Sequence, residues 1–363
     1  MANSNLMDFI GSGGGLQLSM SGVYDTARFI EASQADLQVI KDLYAPITVL
    51  DASVSGAGNS ATSMVFDPVN NFIYIYGGYN GATQSDTLIK YDITTGTKTV
   101  ISTALTGTAR HLHTMVFDST NNLLYIYGGH NGTAPLDDLV KYDLTAGTAT
   151  VISATATGTV RYTSGMVFDD TNNLLYIYGG NNGTAYINDL VKYDITVAVA
   201  TTVNTALLTT ARGHHSMAFD STNNLLYIYG GYDTAEINEL VKYDITGAVV
   251  SVINTATLAT ARRGCGMAFD SSKNSLLIYG GISGSAFYDT LYLYDLTNNT
   301  TKLLDPTFTG INRSNCGFSL DSTNNLIYVY GGDGVTISDD LTKNDLTKIL
   351  EIADAKLIIP RIK

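Results

Sequence analysis

Hydrophobic residues come in short bursts separated by clusters of Asp, Ser, Thr, Asn and Gly, and the bursts recur along most of the chain. Met115-Val116-Phe117 leads into Asp118-Ser119-Thr120-Asn121-Asn122, a cluster of turn formers. Leu123-Leu124-Tyr125-Ile126-Tyr127 comes next and ends at Gly128-Gly129. After a variable loop come Asp138-Leu139-Val140-Lys141-Tyr142-Asp143 and then Thr148-Ala149-Thr150-Val151-Ile152. Each burst is too short for a helix, is rich in β-branched and aromatic side chains, and is bounded by turn residues. The pattern therefore predicts four short strands per unit.

The unit repeats. Gly pairs stand at Gly77-Gly78, Gly128-Gly129, Gly179-Gly180, Gly230-Gly231, Gly280-Gly281 and Gly331-Gly332, spaced 51, 51, 51, 50 and 51 residues apart. Four-stranded sheets repeated at such a period are the blades of a β-propeller. A linear solenoid would need polar, atypical repeats at its ends. The six copies instead keep one apolar pattern from first to last, which favours a closed ring. The expected fold is all-β, a six-bladed propeller.

Thr48-Val49-Leu50 stands 51 residues before Thr99-Val100-Ile101. Residues 47–53 thus read as a fourth strand without a blade of its own, expected to complete blade six and close the ring. The rival is that Ile349–Ile352 fills that slot. Residues 1–46 form a separate N-terminal arm, with a Ser12-Gly13-Gly14-Gly15 hinge and helical periodicity from Tyr24 to Leu43. The expected organisation is arm 1–46, propeller 47–346 and C-terminal tail 347–363.

Charge narrows the function. The net charge is −13, which argues against a nucleic-acid groove or an anionic membrane surface. No apolar run is long enough to span a bilayer. A basic start followed by a continuous apolar stretch, as in a secretory signal, is not seen before Arg28. Cys265 and Cys316 occupy equivalent places in neighbouring repeats and are expected to be free, buried thiols.

The repeat resembles the kelch repeat, on three features: an Arg before the first strand (Arg110), a Gly pair after the second (Gly128-Gly129) and a Tyr-Asp in the third (Tyr142-Asp143). The resemblance covers about residues 47–346 and implies a kelch-like β-propeller. Three features depart from that pattern. The chain has no Trp, Asn59 stands for the Arg in copy one, and Asn344 stands for the Tyr in copy six.

Comparing the copies separates scaffold from candidate site. Arg110, Arg161, Arg212, Arg262 and Arg313 recur with the scaffold. The resemblance puts them near the mouth of the central channel, where a cationic ring could hold an anion. The other reading is that each pairs with an Asp or a loop carbonyl. The residues after the Gly pairs vary: Tyr79, His130, Asn181, Tyr232, Ile282 and Asp333. Of these, Tyr79, His130, Asn181, Tyr232 and Asp333 are candidates for stacking and hydrogen bonding to a glycan or peptide. His111, His113, His214 and His215 cluster before or within first strands, but no close-spaced Cys/His motif supports a metal, and none is expected. Asp67, Asp118, Asp169, Asp220, Asp270 and Asp321 read as caps of the turn between strands one and two.

No cofactor motif occurs. The expected function is a non-enzymatic binding or structural module that presents loops to a glycan or protein receptor. Residues 1–46 would mount it on a larger assembly, as in a phage tail or virion protein. Alternatives are a sugar-active enzyme of the sialic acid mutarotase type, a cytoplasmic interaction scaffold, and a homo-oligomer that exchanges arms.

Overall fold

The computed structural model describes residues 47–358, with side chains to residue 353, and the backbone of a short antiparallel pair, Phe9–Ile10 with Gln17–Leu18. The helix expected between Tyr24 and Leu43 lies outside the described residues. Six antiparallel sheets are built in sequence order. Blade one is Ser63–Asp67, Phe72–Tyr76, Leu88–Asp92 and Thr97–Ser102. Blade two is Thr114–Asp118, Leu123–Tyr127, Leu139–Asp143 and Thr148–Ser153. Blades three to five repeat the plan, beginning at Gly165, Ser216 and Arg263. Blade six takes three strands from Gly317–Asp321, Leu326–Tyr330 and Leu341–Asp345. Its fourth is Ile47–Asp51, with Thr342 opposite Val49 and Lys343 opposite Thr48. First strands of successive blades are neighbours around a complete circle, blade six against blade one included. The molecule is a six-bladed β-propeller.

Local chemistry explains the regular period. In each hairpin between strands one and two, the Asp accepts backbone N–H bonds from the turn, as when Asp118 Oδ1 takes Thr120 N and Asn121 N. Asp118 Oδ2 also accepts from Asn121 Nδ2 at 2.8 Å. The second Asn of the turn, Asn122, supplies the left-handed backbone at φ 58°. The Asp of each Tyr-Asp caps the next turn in the same way, Asp143 Oδ1 accepting from Thr145 N and Ala146 N. Asp345 makes this pattern too, accepting from Thr347 N and Lys348 N, but there the chain continues into a helix. Residues Leu346–Ile358 form α1, and Ile349–Ile352 lie within it rather than in a strand. Leu346, Ile349 and Ala353 are buried on one face of α1, against Phe308, Leu304 and Ile327 of blades five and six.

The core lies between blades. Second strands are nearly wholly buried, and tyrosines fill the blade interfaces: Tyr74 meets Phe117 with ring centroids 5.9 Å apart, and Phe66 meets Tyr328 at 5.2 Å. Tyr91 Oη donates to Leu50 O at 2.9 Å, tying blade one to the closing strand. Among the described residues no helix is long and apolar enough to cross a membrane.

Candidate functional site

Each of blades two to six is entered through a segment that carries the recurring Arg, and these five side chains are 2% exposed or less. Arg110 shows the arrangement. Its Nη1 donates to Gly128 O at 3.0 Å and to Asp138 Oδ1 at 2.8 Å, while Nη2 donates to Asp138 Oδ2 at 2.8 Å. Arg161 pairs likewise with Asp189, Arg212 with Glu239 and Arg313 with Asp340. In blade five Thr290 stands in the acid's place; Arg262 donates to its Oγ1 at 2.6 Å and stacks over Tyr288 at 3.7 Å. The arginines therefore do not present a cationic ring at the channel mouth. Each guanidinium is buried within its own blade and held by that blade's acid or aromatic ring.

The Gly pairs complete this clamp. Gly129 N donates to Arg161 O at 3.0 Å, so one blade's Gly pair grips the next blade's entry segment, and the series closes with Gly332 N to Asn59 O. Gly128, at φ 62°, would place a Cβ 2.6 Å from Arg161 O, so no side chain fits there.

Two residues beyond each Arg the chain lines the central channel. Ala61, Leu112, Thr163, His214, Gly264 and Asn315 all have left-handed backbones, with φ between 49° and 64°. Leu112 N donates to Ala61 O, Thr163 N to Leu112 O, and so on to Ala61 N donating to Asn315 O, at 2.8–3.0 Å. This ring of backbone hydrogen bonds, one residue per blade, encircles the channel and offsets the cost of strained backbone at five non-glycine positions. It borders a cavity of about 120 Å³ that is also lined by Thr62, His113, Ser164, His215, Cys265 and Cys316.

The variable residues after the Gly pairs sit just outside this ring, each bridged to the residue that follows the Arg. Tyr79 pairs with Ser60, His130 with His111, Asn181 with Tyr162, Tyr232 with Gly213, and Asp333 with Ser314. All five are half-buried. Three also shape their own loops: Tyr79 Oη donates to Gly81 O, His130 Nδ1 accepts from Gly132 N, and Asn181 Oδ1 accepts from Gly183 N. Rings from blades one to three meet in series, Tyr79 to His111 at 5.5 Å, His111 to His130 at 5.7 Å and His130 to Tyr162 at 5.3 Å. Across the mouth, Arg263 lies over Tyr232 at 4.7 Å and pairs with Glu236 at 2.7 Å.

The histidines divide by depth. Burial lowers the pKa of His111 and His130, pushes His214 down to about 4 and His215 to about 3, and holds His113 well below the usual imidazole range. His113 and His215 pack edge-on against Tyr76 and Tyr178, next to Gly77 and Gly179. Cys265 and Cys316 are free and half-buried rather than fully buried, with burial pushing both thiols up to about 12, so neither is a reactive thiolate. Among the described residues no three His, Cys, Asp or Glu side chains converge as metal ligands would.

This geometry has known relatives. The Attractin/LZTR1 beta-propeller family matches residues 73–239 and 124–348, together well over half the chain. A kelch repeat-containing protein of Dictyostelium discoideum is 29% identical over 136 residues, which span 36% of this chain and 20% of that relative. The chain belongs to the kelch-repeat β-propeller family. In this kelch propeller the three repeat signatures act together: the Arg and the Gly pair form the clamp between blades, and the Tyr-Asp packs the neighbouring blade and caps the following turn. Of the residues that face the variable ones across each bridge, sequence reasoning singled out only His111, as one of a histidine cluster, and missed Ser60, Tyr162, Gly213, Arg263 and Ser314. The signal was available, since the position after each Arg differs from copy to copy just as the loop position does.

Proposed function

We propose that this kelch propeller is a non-catalytic module that binds a protein partner at the channel mouth. The observation that carries the reading is the contrast between scaffold and mouth. The Arg, Gly-pair and Asp positions repeat and are satisfied within and between the blades, whereas the ring of half-buried Tyr, His, Asn, Arg and Asp side chains changes from blade to blade. Varied aromatic and polar groups on a rigid base are the composition of a recognition surface.

A mutarotase-like reaction is disfavoured by the same contacts. Glu236 and Glu239 are both held in ion pairs, and the arginines that would grip an acidic sugar are inside the blades. The arm of residues 1–46 joins the ring at Ile47, on the outermost strand of blade six, away from the channel. That attachment point fits a role in mounting the propeller on a larger assembly, in a virion or a cytoplasmic scaffold.

The test is selection from a displayed random-peptide library against the whole protein. Peptides so selected are expected to lose binding to a Tyr79→Ala/Tyr162→Ala variant and to retain it in a variant of the exposed outer strand, Val151→Thr. The opposite pattern would overturn the assignment of the mouth.

A further inference from the structure

The channel mouth carries a polar relay that runs from blade six to blade four. Asn315 Nδ2 donates to Asp333 Oδ2 at 3.0 Å, which fixes the amide so that Oδ1 faces His214 Nδ1 at 3.3 Å. Gly264 lies between the two blades, and a Cβ there would stand 2.7 Å from Asn315 Oδ1, so the missing side chain lets His214 reach across. Nδ1 then carries the proton and donates, and Nε2 keeps its lone pair for a ligand. Asp333, Asn315 and His214 thus form one acceptor edge.

The rest of the mouth leaves that edge without a counter-charge. Arg263 is neutralised by Glu236 and stacked on Tyr232, and the imidazoles are held neutral by burial. Asp333 forms no ion pair among the described residues. Opposite stand the rings of Tyr79 and Tyr162, whose faces attract cations. The cavity of about 120 Å³ that His214 and Asn315 line also contains Thr163, whose buried Oγ1 has no partner. A cavity of that size has room for water and for a small polar head group.

Resting on the reading of the mouth as the partner site, we propose that it takes a basic side chain of the partner, an arginine or lysine, whose head group lies at the rim of the cavity against the edge made by Asp333, Asn315 and His214. A glycan's hydroxyls could also donate to this edge, but only a guanidinium or ammonium brings the opposite charge and its stronger hydrogen bonds.

The experiment uses the full chain, with its five histidines observed through their Cε1–H signals in NMR. The probes are Nα-acetyl-arginine methylamide and its neutral isostere, the citrulline methylamide. The arginine probe is expected to shift the His214 signal and to bind at least tenfold more tightly than the citrulline probe. Asp333→Asn, which keeps an acceptor oxygen for Asn315, is expected to abolish that preference, and Asp333→Ser to do the same, with both thermal midpoints near that of the wild type. Equal binding of the two probes, no His214 shift up to the solubility limit, or a preference that survives in a folded Asp333 variant would overturn the proposal. Library-selected peptides separate this from the broader reading. Peptides that need the mouth but carry no Arg or Lys defeat this inference alone, whereas peptides that bind elsewhere defeat the mouth itself.

Discussion

Blade two and blade one are copies that differ at the clamp. Blade two holds its entry segment with Arg110, bonded to Gly128 O and to both oxygens of Asp138. Blade one has Asn59 and Thr87 in the same two places. Asn59 Nδ2 still donates to Gly77 O at 2.9 Å, and its carbonyl still accepts from Gly332 N, but the stem and fork of an arginine are missing. A cavity of about 390 Å³ remains there, lined by Asn59, Thr87, Val54, Ile75, Ile89 and Val100 among others. The backbone half of the clamp is thus enough to seat a blade, while the side-chain half fills volume and pairs a buried charge. Arg and acid are lost together in blade one. In blade five, where only the acid is lost, Tyr288 stacks under the remaining guanidinium. A buried charge needs a partner, and the copies show three ways to meet that need.

Breaking the clamp where it is complete should have the largest effect. Arg110→Ala leaves Asp138 without its cation and opens a cavity, and is expected to cost about 3–5 kcal/mol in urea unfolding. Arg110→Asn with Asp138→Thr, which rewrites blade two as blade one, should cost less than the single change, because no charge is stranded. A double variant as damaging as the single one would show that charge pairing is not what the clamp contributes.

A second pair of copies compares His215 in blade four with Ser164 at the same place in blade three. His215 is neutral in the fold, with its pKa pushed to about 3, and is charged in the unfolded chain below about 6.5. Between those values the unfolded state binds the extra proton, so His215 makes stability fall as the pH drops from about 6.5 towards 3. His215→Ser should remove about one proton from the slope of stability against pH in that window. An unchanged slope would mean that the imidazole is not buried in its neutral form.

Repairing blade one should have a smaller effect of opposite sign. Asn59→Arg with Thr87→Asp is expected to stabilise by about 1–2 kcal/mol, since it fills a cavity and adds a paired charge. Asn59→Arg alone should gain less or lose, with its guanidinium facing a threonine. The smallest effect belongs to Thr290→Asp in blade five, expected to fall within about 1 kcal/mol of wild type because it exchanges one partner of Arg262 for another. Thermal midpoints of the same variants would rank all of these.

The differing clamps also show which features a sequence can reveal. The Gly pairs, the Asp of each hairpin and the Tyr-Asp were legible because each must meet a local requirement: backbone room, orphan N–H groups, a capped turn. The arginines were legible as scaffold through their recurrence. Their burial depends on Asp138 and its counterparts, 27 or 28 residues further on, and proximity to the channel in the chain does not reveal it. The ring of left-handed residues was not legible at all, because Ala61, Leu112 and Thr163 are types that normally avoid that conformation, and only hydrogen bonds between blades hold them there. The C-terminal helix was hidden for a related reason. Asp345 caps the start of α1 with the same bonds by which its counterparts cap hairpins, so the cap alone does not distinguish helix from strand. The choice depends on whether the fourth-strand position of blade six is free, and Ile47–Asp51 already fills it. At the mouth, variability marked Tyr79, His130, Asn181, Tyr232 and Asp333, but the relay through His214 and Asn315 depends on a missing side chain at Gly264 in the intervening blade.

If the variable mouth, not the repeated scaffold, carries the function, a bound partner must quiet the mouth and leave the outer blades unchanged. Hydrogen exchange of the full chain with and without the tightest library-selected peptide tests this most directly. Protection is expected to concentrate in the segments 79–84, 130–136, 181–187 and 232–237 and at residues 314–315. Protection confined to the outer fourth strands, or spread evenly over the blades, would contradict it.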